Sequence, residues 1–524
     1  MRLLAAALTL AALAAALFAL DRTISGTVTA EGGAPLPGAF VSAYGPEGVR
    51  TTTYTDAAGR FALPVPPARV QHLEASAGGF APGRAAPEDG PVPFTLRPAA
   101  APGPAPSAHY LGLLPDGEDK RRFILDCTGC HQFDHTIVAP GGQLRSPDDW
   151  HARIEQMISF AGGHSSFPIM APSRDALATT DWLAAHLGGP GADPPRLDTP
   201  PPAVPDDPAA VITEYDVPEA QDLPHDLALL RDGRVLVTGM MTHQMYTLDP
   251  ADGAWATHAI PIPYANPRAV MVDEAGHWWV LLGYPRQVAR YDPAADAWTA
   301  FDVGMYPHSI ARDAGGRVWF NGHFTKNPEQ IGVLDPAGGE VTPFDVPAPP
   351  MPDGGSTIPY GLRFGPDGTL WGTQLAGNRL VRFDPSTARF TLYPLPTPVS
   401  GPRRLDVAPD GTVWIPAYAA GLLVRFDPTT ETFTEYALPT ADALPYIVRV
   451  DAPRGRVWIA TAAADAVFRF DLATEAFATY PLPTPRALVR HMALDAATGA
   501  VWLAYGNSPA VAPKIARLMP GGGE

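Results

Sequence analysis

The sequence predicts a mainly β, multidomain protein with a small β-sandwich, a short α-helical domain and a seven-bladed β-propeller. Three observations support this. The 524 residues are too many for one hydrophobic core. The chain has 62 prolines and 50 glycines but only 17% charged residues, which is typical of many turns and short strands. From Val211 onward, a unit of four strand-like runs repeats about every 43 residues.

The chain begins with a short charged start and an apolar run. Met1-Arg2-Leu3 is followed by an Ala/Leu run to Leu20, as in a secretory signal. Because Leu17 stands where cleavage prefers a small residue, residues 1–20 are either a signal peptide or an uncleaved N-terminal anchor. We expect a periplasmic or otherwise exported protein, with membrane attachment only through this segment.

Residues 22–97 alternate apolar and polar positions in short runs separated by Gly, Pro and Asp. This pattern predicts a small β-sandwich. A G-x-V strand, a "PLPGAFV" strand and a "TDAAGRF" hairpin follow one another in that order. In this order the stretch resembles the carboxypeptidase regulatory-like domain, and the resemblance implies a structural or adhesive module.

Two proline-rich stretches, residues 98–109 and 188–209, predict stiff linkers. Between them, residues 110–187 show helical spacing in "EDKRRFILDC", in the run from Pro147 to Met157 and in "RDALATTDWLAAHL". Three helices are therefore expected in this segment.

The only two cysteines of the chain lie in Cys127-Thr-Gly-Cys130-His131. In a C-x-x-C-H site the two thiols form thioethers to haem, and the adjacent imidazole binds the iron. Because an exported chain with only two cysteines, three positions apart and followed at once by His131, cannot build a disulfide framework, haem attachment explains both cysteines. Residues 110–187 are thus predicted to be a cytochrome c domain with one covalent haem c.

The second iron ligand stays open between Met157 and Met170. A methionine on a helix is more often a core residue than a ligand, which favours Met170 in "FPIMAPSRDA". Cytochrome domains joined to similar propellers resemble this one through a W-x6-M helix, which favours Met157, our first choice. A bis-histidine haem is the alternative, with candidates His135, His151 and His164.

The repeat over residues 210–520 predicts seven blades. The strand-like "VITEYDVP" before the first unit supplies the outer strand that the last unit lacks. One position near the start of each unit should ring one mouth of the central channel. The ring reads His225, Arg268, His308, Tyr360, Arg403, Tyr446 and Arg490.

Three arginines and two histidines at this mouth, in a chain of net charge −17, predict a site for a small anionic or phenolic substrate. The alternative is that these side chains only hydrate the channel or brace the blades. A tentative second metal, such as copper, has the candidate ligands His225, His243, His308 and His323. No run of Lys or Arg could follow a phosphate backbone, so nucleic acid is not an expected partner.

The unit "PYGLRFGPDGTLWGTQLAGNRLVRFDP" resembles the repeat of the streptogramin lyase (virginiamycin B lyase) family. The resemblance implies a seven-bladed propeller, and for the lyases a Mg²⁺-dependent elimination that uses His and Glu residues at the channel mouth. No glutamate stands at the equivalent positions, which are Gly322, Gln374, Ala417, Thr461 and Tyr505. Glu329 and His491 are secondary candidates.

Three hypotheses follow. In the first, the protein is an oxidoreductase: the arginines orient a substrate, His225 or His308 acts as a base or metal ligand, and electrons pass through haem to a partner protein. In the second, the propeller and sandwich are docking surfaces of a non-catalytic electron-transfer protein. In the third, the propeller is a lyase-like eliminase with an accessory cytochrome.

Overall fold

The computed structural model describes residues 23–521, apart from 66–68, 89, 101–104, 163–164, 166–167, 193–204, 324–328, 349–350, 352–354 and 508–510. The predicted signal or anchor, residues 1–20, lies outside this range, and so does His164. None of the helices in the described ranges is long and apolar enough to cross a membrane.

The N-terminal part is a β-sandwich, as predicted. Its strands are β1 (Ile24–Ala30), β2 (Phe40–Tyr44), β3 (Val49–Tyr54), β4 (Arg60–Leu63), β5 (His72–Ser76), β6 (Gly83–Ala85) and β7 (Val92–Leu96). One sheet has the order β4-β1-β7, and β3-β2-β5-β6 form the facing layer. Alternate residues such as Val28, Val41 and Phe94 form a core of their own, because successive strand residues point to opposite faces.

Five α-helices follow in the described residues between 105 and 192. They are α1 (Ser107–Leu111), α2 (Glu118–Cys127), α3 (His135–Val138), α4 (Pro147–Ala161) and α5 (Ala176–Leu187). The three longer helices lie where the periodicity places them. The start of α4 is fixed by a capping box in which Ser146 and Asp149 satisfy each other's backbone N–H groups. Helix α1 starts inside the stretch predicted to be a linker, because Ala105, Ser107 and Ala108 are buried.

Between residues 211 and 519, the described residues form seven four-stranded antiparallel blades, six as separate sheets and the seventh as part of a larger sheet. The strand β8 (Val211–Asp216) comes first in sequence. Blades 1 to 3 comprise β9 (Pro224–Leu229), β10 (Val235–Gly239), β11 (Gln244–Leu248), β12 (Trp255–Ala259); β13 (Pro267–Val272), β14 (Trp278–Leu282), β15 (Gln287–Asp292), β16 (Ala297–Asp302); and β17 (Pro307–Arg312), β18 (Val318–Gly322), β19 (Glu329–Asp335), β20 (Glu340–Val346).

Blades 4 to 6 comprise β21 (Pro359–Phe364), β22 (Leu370–Gln374), β23 (Arg379–Asp384), β24 (Arg389–Pro394); β25 (Asp406–Val407), β26 (Val413–Ala417), β27 (Leu422–Asp427), β28 (Thr432–Ala437); and β29 (Pro445–Asp451), β30 (Arg456–Thr461), β31 (Ala466–Asp471), β32 (Phe477–Pro481). Blade 7 comprises β33 (Val489–Leu494), β34 (Val501–Asn507), β35 (Val511–Met519) and β8.

The sheets form a closed ring. The first strand of each blade contacts that of the next, and β33 of blade 7 contacts β9 of blade 1. The strand β8 completes blade 7 by pairing antiparallel with β35, from Val211 opposite Met519 to Asp216 opposite Lys514. The expected closure of the ring by the strand at 211–218 is therefore observed, and closure leaves no open edge between first and last blades.

The sandwich is joined to blade 7 through the same strand. β3 pairs antiparallel with the outer edge of β8, which makes one continuous eight-stranded sheet across the two domains. At this junction Arg50 forms a salt bridge with the fully buried Glu214, which also accepts hydrogen bonds from Thr484 and Tyr505. The sandwich and the propeller thus share backbone hydrogen bonds as well as side chains.

The helical segment lies on the propeller. Its apolar residues share one hydrophobic cluster with blades 4 to 7, in which Phe123 and Trp150 belong to the helices and Tyr446 and Tyr480 to the blades. Lys120 is buried and forms a 2.6 Å salt bridge with Asp442, and Arg486 forms one of 2.6 Å with Asp134. The contacts place the segment over one mouth of the channel.

Candidate functional site

The seven positions predicted to ring the channel mouth are all buried in the structure. Each lies at or just before the start of its blade's innermost strand, next to a proline in six of the blades. In six blades the pairing of the first two strands also shifts register at this point. Such irregularities re-aim side chains and are common beside functional sites. Here they accompany a ring of polar side chains.

Histidines occupy the blade 1 and blade 3 part of the ring. The His308 ring stacks on His323 at a centroid distance of 4.0 Å and meets His225 edge-on at 5.3 Å. Nδ1 of His225 lies 2.8 Å from Oδ1 of Asp226. Burial, assisted by neighbouring cations, lowers the pKa of all three imidazoles well below the ordinary value. They are therefore neutral at physiological pH.

Tyrosines surround Arg403 in the next part of the ring. Its guanidinium lies 3.9 Å from the ring centroid of Tyr418, 4.4 Å from that of Tyr446 and 5.0 Å from that of Tyr360. It donates a 2.8 Å hydrogen bond to the Tyr360 hydroxyl, which lies 2.6 Å from the Tyr446 hydroxyl. Tyr360 also contacts His308 at 4.7 Å, so the tyrosine and histidine groups are continuous.

These two phenols differ in acidity. Burial raises the pKa of Tyr360 above the range of an ordinary tyrosine. Burial acts in the same direction on Tyr446, but the positive charges of Arg403 and Arg404 outweigh it and lower its pKa below 10. The shared hydrogen bond therefore joins a weaker acid to a stronger one, in a cationic surrounding that favours negative oxygen.

The C-x-x-C-H motif is packed against this ring. Arg490 donates a 2.6 Å hydrogen bond to the carbonyl oxygen of Cys130. The Tyr418 hydroxyl donates a 2.9 Å hydrogen bond to the Thr128 carbonyl oxygen. A Cβ atom on Gly129 would lie 3.4 Å from the Arg403 guanidinium. The loop after helix α2 therefore sits on the arginine and tyrosine side of the mouth.

Both cysteines of the motif are unpaired thiols. Burial, and then the charge of Asp126, raises the pKa of Cys127 to about 12. The Cys130 thiol has solvent access but is surrounded by many protein atoms, and desolvation raises its pKa too. Catalytic cysteines have depressed pKa values, so neither thiol has the character of a nucleophile.

The predicted iron ligand His131 and the two candidate methionines differ in their surroundings. Nδ1 of His131 lies 3.1 Å from the Gln132 carbonyl oxygen, an arrangement that leaves Nε2 available. Met170 is buried, with 3% of its surface exposed. It lines a cavity of about 600 Å³ between the helical segment and blades 4 and 5. Met157 lies half-buried on helix α4 and does not line this cavity.

The same cavity borders the end of helix α2. Leu125 and Asp126, the two residues before Cys127, line it together with Trp182 and with Ile358 of the propeller. Asp126 accepts hydrogen bonds from the Ala171 N–H and from the Arg174 guanidinium. These bonds hold the Met170 segment against the helix that carries the motif.

The four candidate ligands of a second metal are only partly brought together. His243 lies in a turn beside Tyr264 and Tyr284 and makes no ring contact with the other three. In the described part of the chain, no group of three or more His, Cys, Asp or Glu side chains has the geometry to hold a metal ion. The stacked His308 and His323 rings instead make a neutral aromatic surface.

Three residues of the site were not predicted from the sequence. Tyr418 follows the second strand of blade 5, and Arg404 directly follows the ring residue Arg403. Arg268 donates a 2.6 Å hydrogen bond to Tyr306, which precedes a blade proline. Arg404 and Tyr306 lie within two residues of a ring position, where the irregular pairing at the mouth also turns neighbouring residues toward the channel. Tyr418 lies far from a ring position in sequence, and its only signal is that it directly follows Ala417.

Neither secondary candidate stands in the mouth as a free group. Glu329 is buried and accepts hydrogen bonds from the Ser356 hydroxyl and from the N–H and hydroxyl of Thr357, so it fixes the chain that enters blade 4. His491 points toward the other half of the channel, with Nε2 3.5 Å from Asp226.

Comparisons with known proteins concern the propeller and the sandwich. Residues 350–522 match the model of the virginiamycin B lyase family, and residues 23–97 match that of the carboxypeptidase regulatory-like domain. No curated protein sequence shows a match to the chain.

Solved structures with a similar fold include lyases. A streptogramin B lyase superposes with a TM-score of 0.52 at 22% identity, over 59% of this chain and 97% of that chain. The virginiamycin B lyase of Staphylococcus aureus gives a TM-score of 0.51 at 20% identity, over 59% of this chain and 99% of that chain. At this level of identity the similarity concerns the fold alone.

Proposed function

We propose that this chain is an exported c-type cytochrome fused to a lyase-like propeller, in which electrons pass between one covalent haem and a small anionic or phenolic substrate at the channel mouth. The haem would be attached through Cys127 and Cys130, with His131 as an iron ligand. An electron-transfer protein would be the external partner.

One observation carries the proposal: the C-x-x-C-H loop packs directly on the ring of polar side chains. Arg490 reaches the backbone of Cys130 at 2.6 Å, and Tyr418 reaches that of Thr128 at 2.9 Å. A redox group and a substrate must lie close together for electrons to pass, and this packing supports such a pairing.

The residues around the motif fit a haem. Two unpaired thiols three positions apart are followed by an imidazole whose Nδ1 is next to a carbonyl oxygen, the usual arrangement behind a metal-binding Nε2. A cavity of about 600 Å³ begins at Leu125 and Asp126, directly before the motif, although Cys127, Cys130 and His131 do not line it. Met170 lines this cavity and so gains support as the second ligand, while Met157 stays the alternative. A haem held by the motif would supply one-electron transfer.

The ring residues would bind and orient the substrate. Arg268 and Arg403 supply fixed positive charge for a carboxylate or phenolate, and burial strengthens such hydrogen bonds. The tyrosine rings supply a flat apolar surface, and a neutral His308 or His225 can accept a phenolic proton when an electron leaves. The proton and the electron would thus leave on different sides of the substrate.

A lyase-like elimination is the second candidate, and the match of residues 350–522 to the lyase family model favours it. The positions where the lyase glutamate would stand hold Gly322, Gln374, Ala417, Thr461 and Tyr505. Glu329, the carboxylate nearest in sequence to Gly322, is held by Ser356 and Thr357. This candidate therefore lacks a free carboxylate among the described mouth residues.

The first experiment expresses the full chain in a bacterium with a cytochrome c maturation system. The expected product keeps one haem per chain through denaturing electrophoresis, and Cys127→Ala with Cys130→Ala abolishes it. Met170→Ala and Met157→Ala then identify the second ligand, because only the true ligand changes the low-spin absorption spectrum. A chain that matures without covalent haem refutes the proposal.

The second experiment tests the substrate site with the haem-loaded protein and a panel of phenols and small organic acids. Wild type should show substrate-dependent haem reduction, and Arg268→Ala and His308→Ala should lose it while keeping their haem. If both variants reduce haem like the wild type, the propeller is a docking surface instead. Arg389→Ala, on an exposed outer strand, is the matched control.

A further inference from the structure

The channel contains a second cavity at the end opposite the C-x-x-C-H motif. It has a volume of about 630 Å³. It is lined by the later residues of the innermost strands, among them residues 226–229, 269–272, 309–312 and 361–364, whereas the ring residues lie at the start of these strands. None of the ring residues lines it. The cavity is thus distinct from the proposed substrate site.

The two walls of this cavity differ in character. Blades 4 to 7 contribute the charged or polar side chains Arg363, Arg404, Asp406, Arg449 and His491. Blades 1 to 3 contribute mainly small or apolar side chains, such as Ala228, Met271 and Ala311, together with Asp226, Ser309 and Arg312, whose guanidinium is paired with Glu274. A ligand in the cavity would therefore meet unneutralised cations on one side and a mainly apolar surface on the other.

The cations on the charged wall are only partly neutralised. Arg404 forms a 2.8 Å salt bridge with Asp226, and Arg363 lies 3.4 Å from Asp406. In the described ranges, Arg449 has no carboxylate within salt-bridge distance. It donates to the Val448 carbonyl oxygen and lies 3.5 Å from His491.

Two further observations indicate that this wall lacks an anion. Nε of the buried Arg404 has no hydrogen-bond partner among the described residues. Burial, and next the positive charge of Arg363, lowers the pKa of Arg449, as expected for a guanidinium with too little negative charge nearby. Burial also lowers the pKa of His491, so this imidazole adds no charge of its own at neutral pH. Apart from Arg312, which is paired with Glu274 outside the cavity, three guanidinium groups thus face two carboxylates.

We infer that this cavity binds a small organic carboxylate, whose charged group lies on Arg449 and Arg404 and whose apolar body lies against Met271 and Ala311. A planar guanidinium binds a carboxylate through two parallel hydrogen bonds, and a partly dehydrated site strengthens them. The apolar wall distinguishes such a ligand from an inorganic anion, which would leave that wall in contact with water.

The test measures binding to the full-length protein by isothermal titration calorimetry, with benzoate, benzamide and inorganic phosphate as probes. We expect benzoate to bind, and benzamide and phosphate to bind at least about tenfold more weakly. Arg449→Gln should weaken benzoate by about tenfold or more, Arg449→Lys should retain part of the affinity, and the exposed Arg389→Gln should leave it unchanged.

Two results would overturn the inference: benzoate affinity equal in Arg449→Gln and wild type, or phosphate binding tighter than benzoate. Circular dichroism and the melting temperature establish that each variant is folded. If Arg449→Gln is unfolded, Arg363→Gln replaces it, because Arg363 lines the same wall and has 34% of its side chain exposed. None of these titrations depends on haem, so their outcome is separate from that of the proposed function.

Discussion

Asp465 makes the stability of the propeller depend on pH. It lies in the turn between β30 and β31 and is 9% exposed. Its carboxylate accepts 2.8 Å hydrogen bonds from the N–H groups of Arg486 and Ala487. Burial outweighs these bonds and raises its pKa from 3.8 to about 7. The folded protein therefore holds this proton more tightly than the unfolded chain.

The sign and size of the effect follow from proton linkage. A raised pKa in the folded state contributes stability that is fully present below pH 3.8 and is lost as the pH rises through about 7. Each pKa unit corresponds to about 1.4 kcal/mol, so the shift of Asp465 corresponds to about 4 kcal/mol. Arg486 N–H donates to Oδ2 of Asp465 and Ala487 N–H donates to Oδ1, so Asp465→Asn keeps one of the two acceptor oxygens and cannot ionise.

The assay is urea unfolding followed by tryptophan fluorescence, at several values between about pH 5 and about pH 8. The wild-type midpoint should fall across this interval more steeply than that of Asp465→Asn, because the hydrogen bond that the variant loses lowers its midpoint by a similar amount at every pH. Asp410→Asn is the matched control, since Asp410 also accepts a backbone N–H in a turn but is exposed. Parallel pH profiles of wild type and Asp465→Asn would refute the assignment.

Three further predictions concern the contacts between the domains and within the sandwich. Arg50→Met leaves the fully buried Glu214 without its cation and should lower the free energy of unfolding in urea by about 3–5 kcal/mol. Arg60→Met, in an exposed pair, should lower it by less than about 1 kcal/mol. Equal losses in the two variants would contradict this. Gly26→Ala places a Cβ 1.9 Å from the Val92 carbonyl oxygen, so the unfolding transition of the sandwich should disappear from a calorimetric scan. Gly32→Ala, with open space around it, should leave the temperature of that transition unchanged. Arg490→Ala removes a charged hydrogen bond to Cys130 worth about 1.5–3 kcal/mol, so amide hydrogen exchange of residues 127–132 should accelerate; unchanged exchange would count against the docking of this loop.

The repeated pattern of the propeller was sufficient to predict its fold. Each blade repeats the same turn residues and the same alternation, and a closing strand was visible in "VITEYDVP" because the last unit lacks its outer strand. The sandwich was predicted from alternation and turn residues in the same way. Local periodicity also placed helices α2, α4 and α5, but not α1, whose burial comes from contact with blade 6 through the Ala463 carbonyl oxygen.

The site was predicted only in part. Equivalent positions in the repeat identified the ring from His225 to Arg490, because repeats place equivalent residues at the same height in the channel. Nothing local to Thr128 or Cys130 indicated that they would pack on Tyr418 and Arg490, since these contacts span about 290 and 360 residues of sequence. The charged wall of the second cavity was not predicted, although Arg363 and Arg449 occupy the same position of the repeat, because the other blades hold Ala228, Met271, Ala311, Asp406 and Ala493 there and no common residue type marks the position.

The way the ring closes also orders events during synthesis. Blade 7 is complete only when β35 pairs with β8, and β35 is the most C-terminal of the strands in the described residues. Because a chain emerges from its N-terminus, residues 127–131 are made long before the blades that cover them. Cys127 and Cys130 thus pass through a period in which an enzyme that acts on the growing chain can reach both thiols. The same enzyme would meet a folded propeller over the loop if it arrived later.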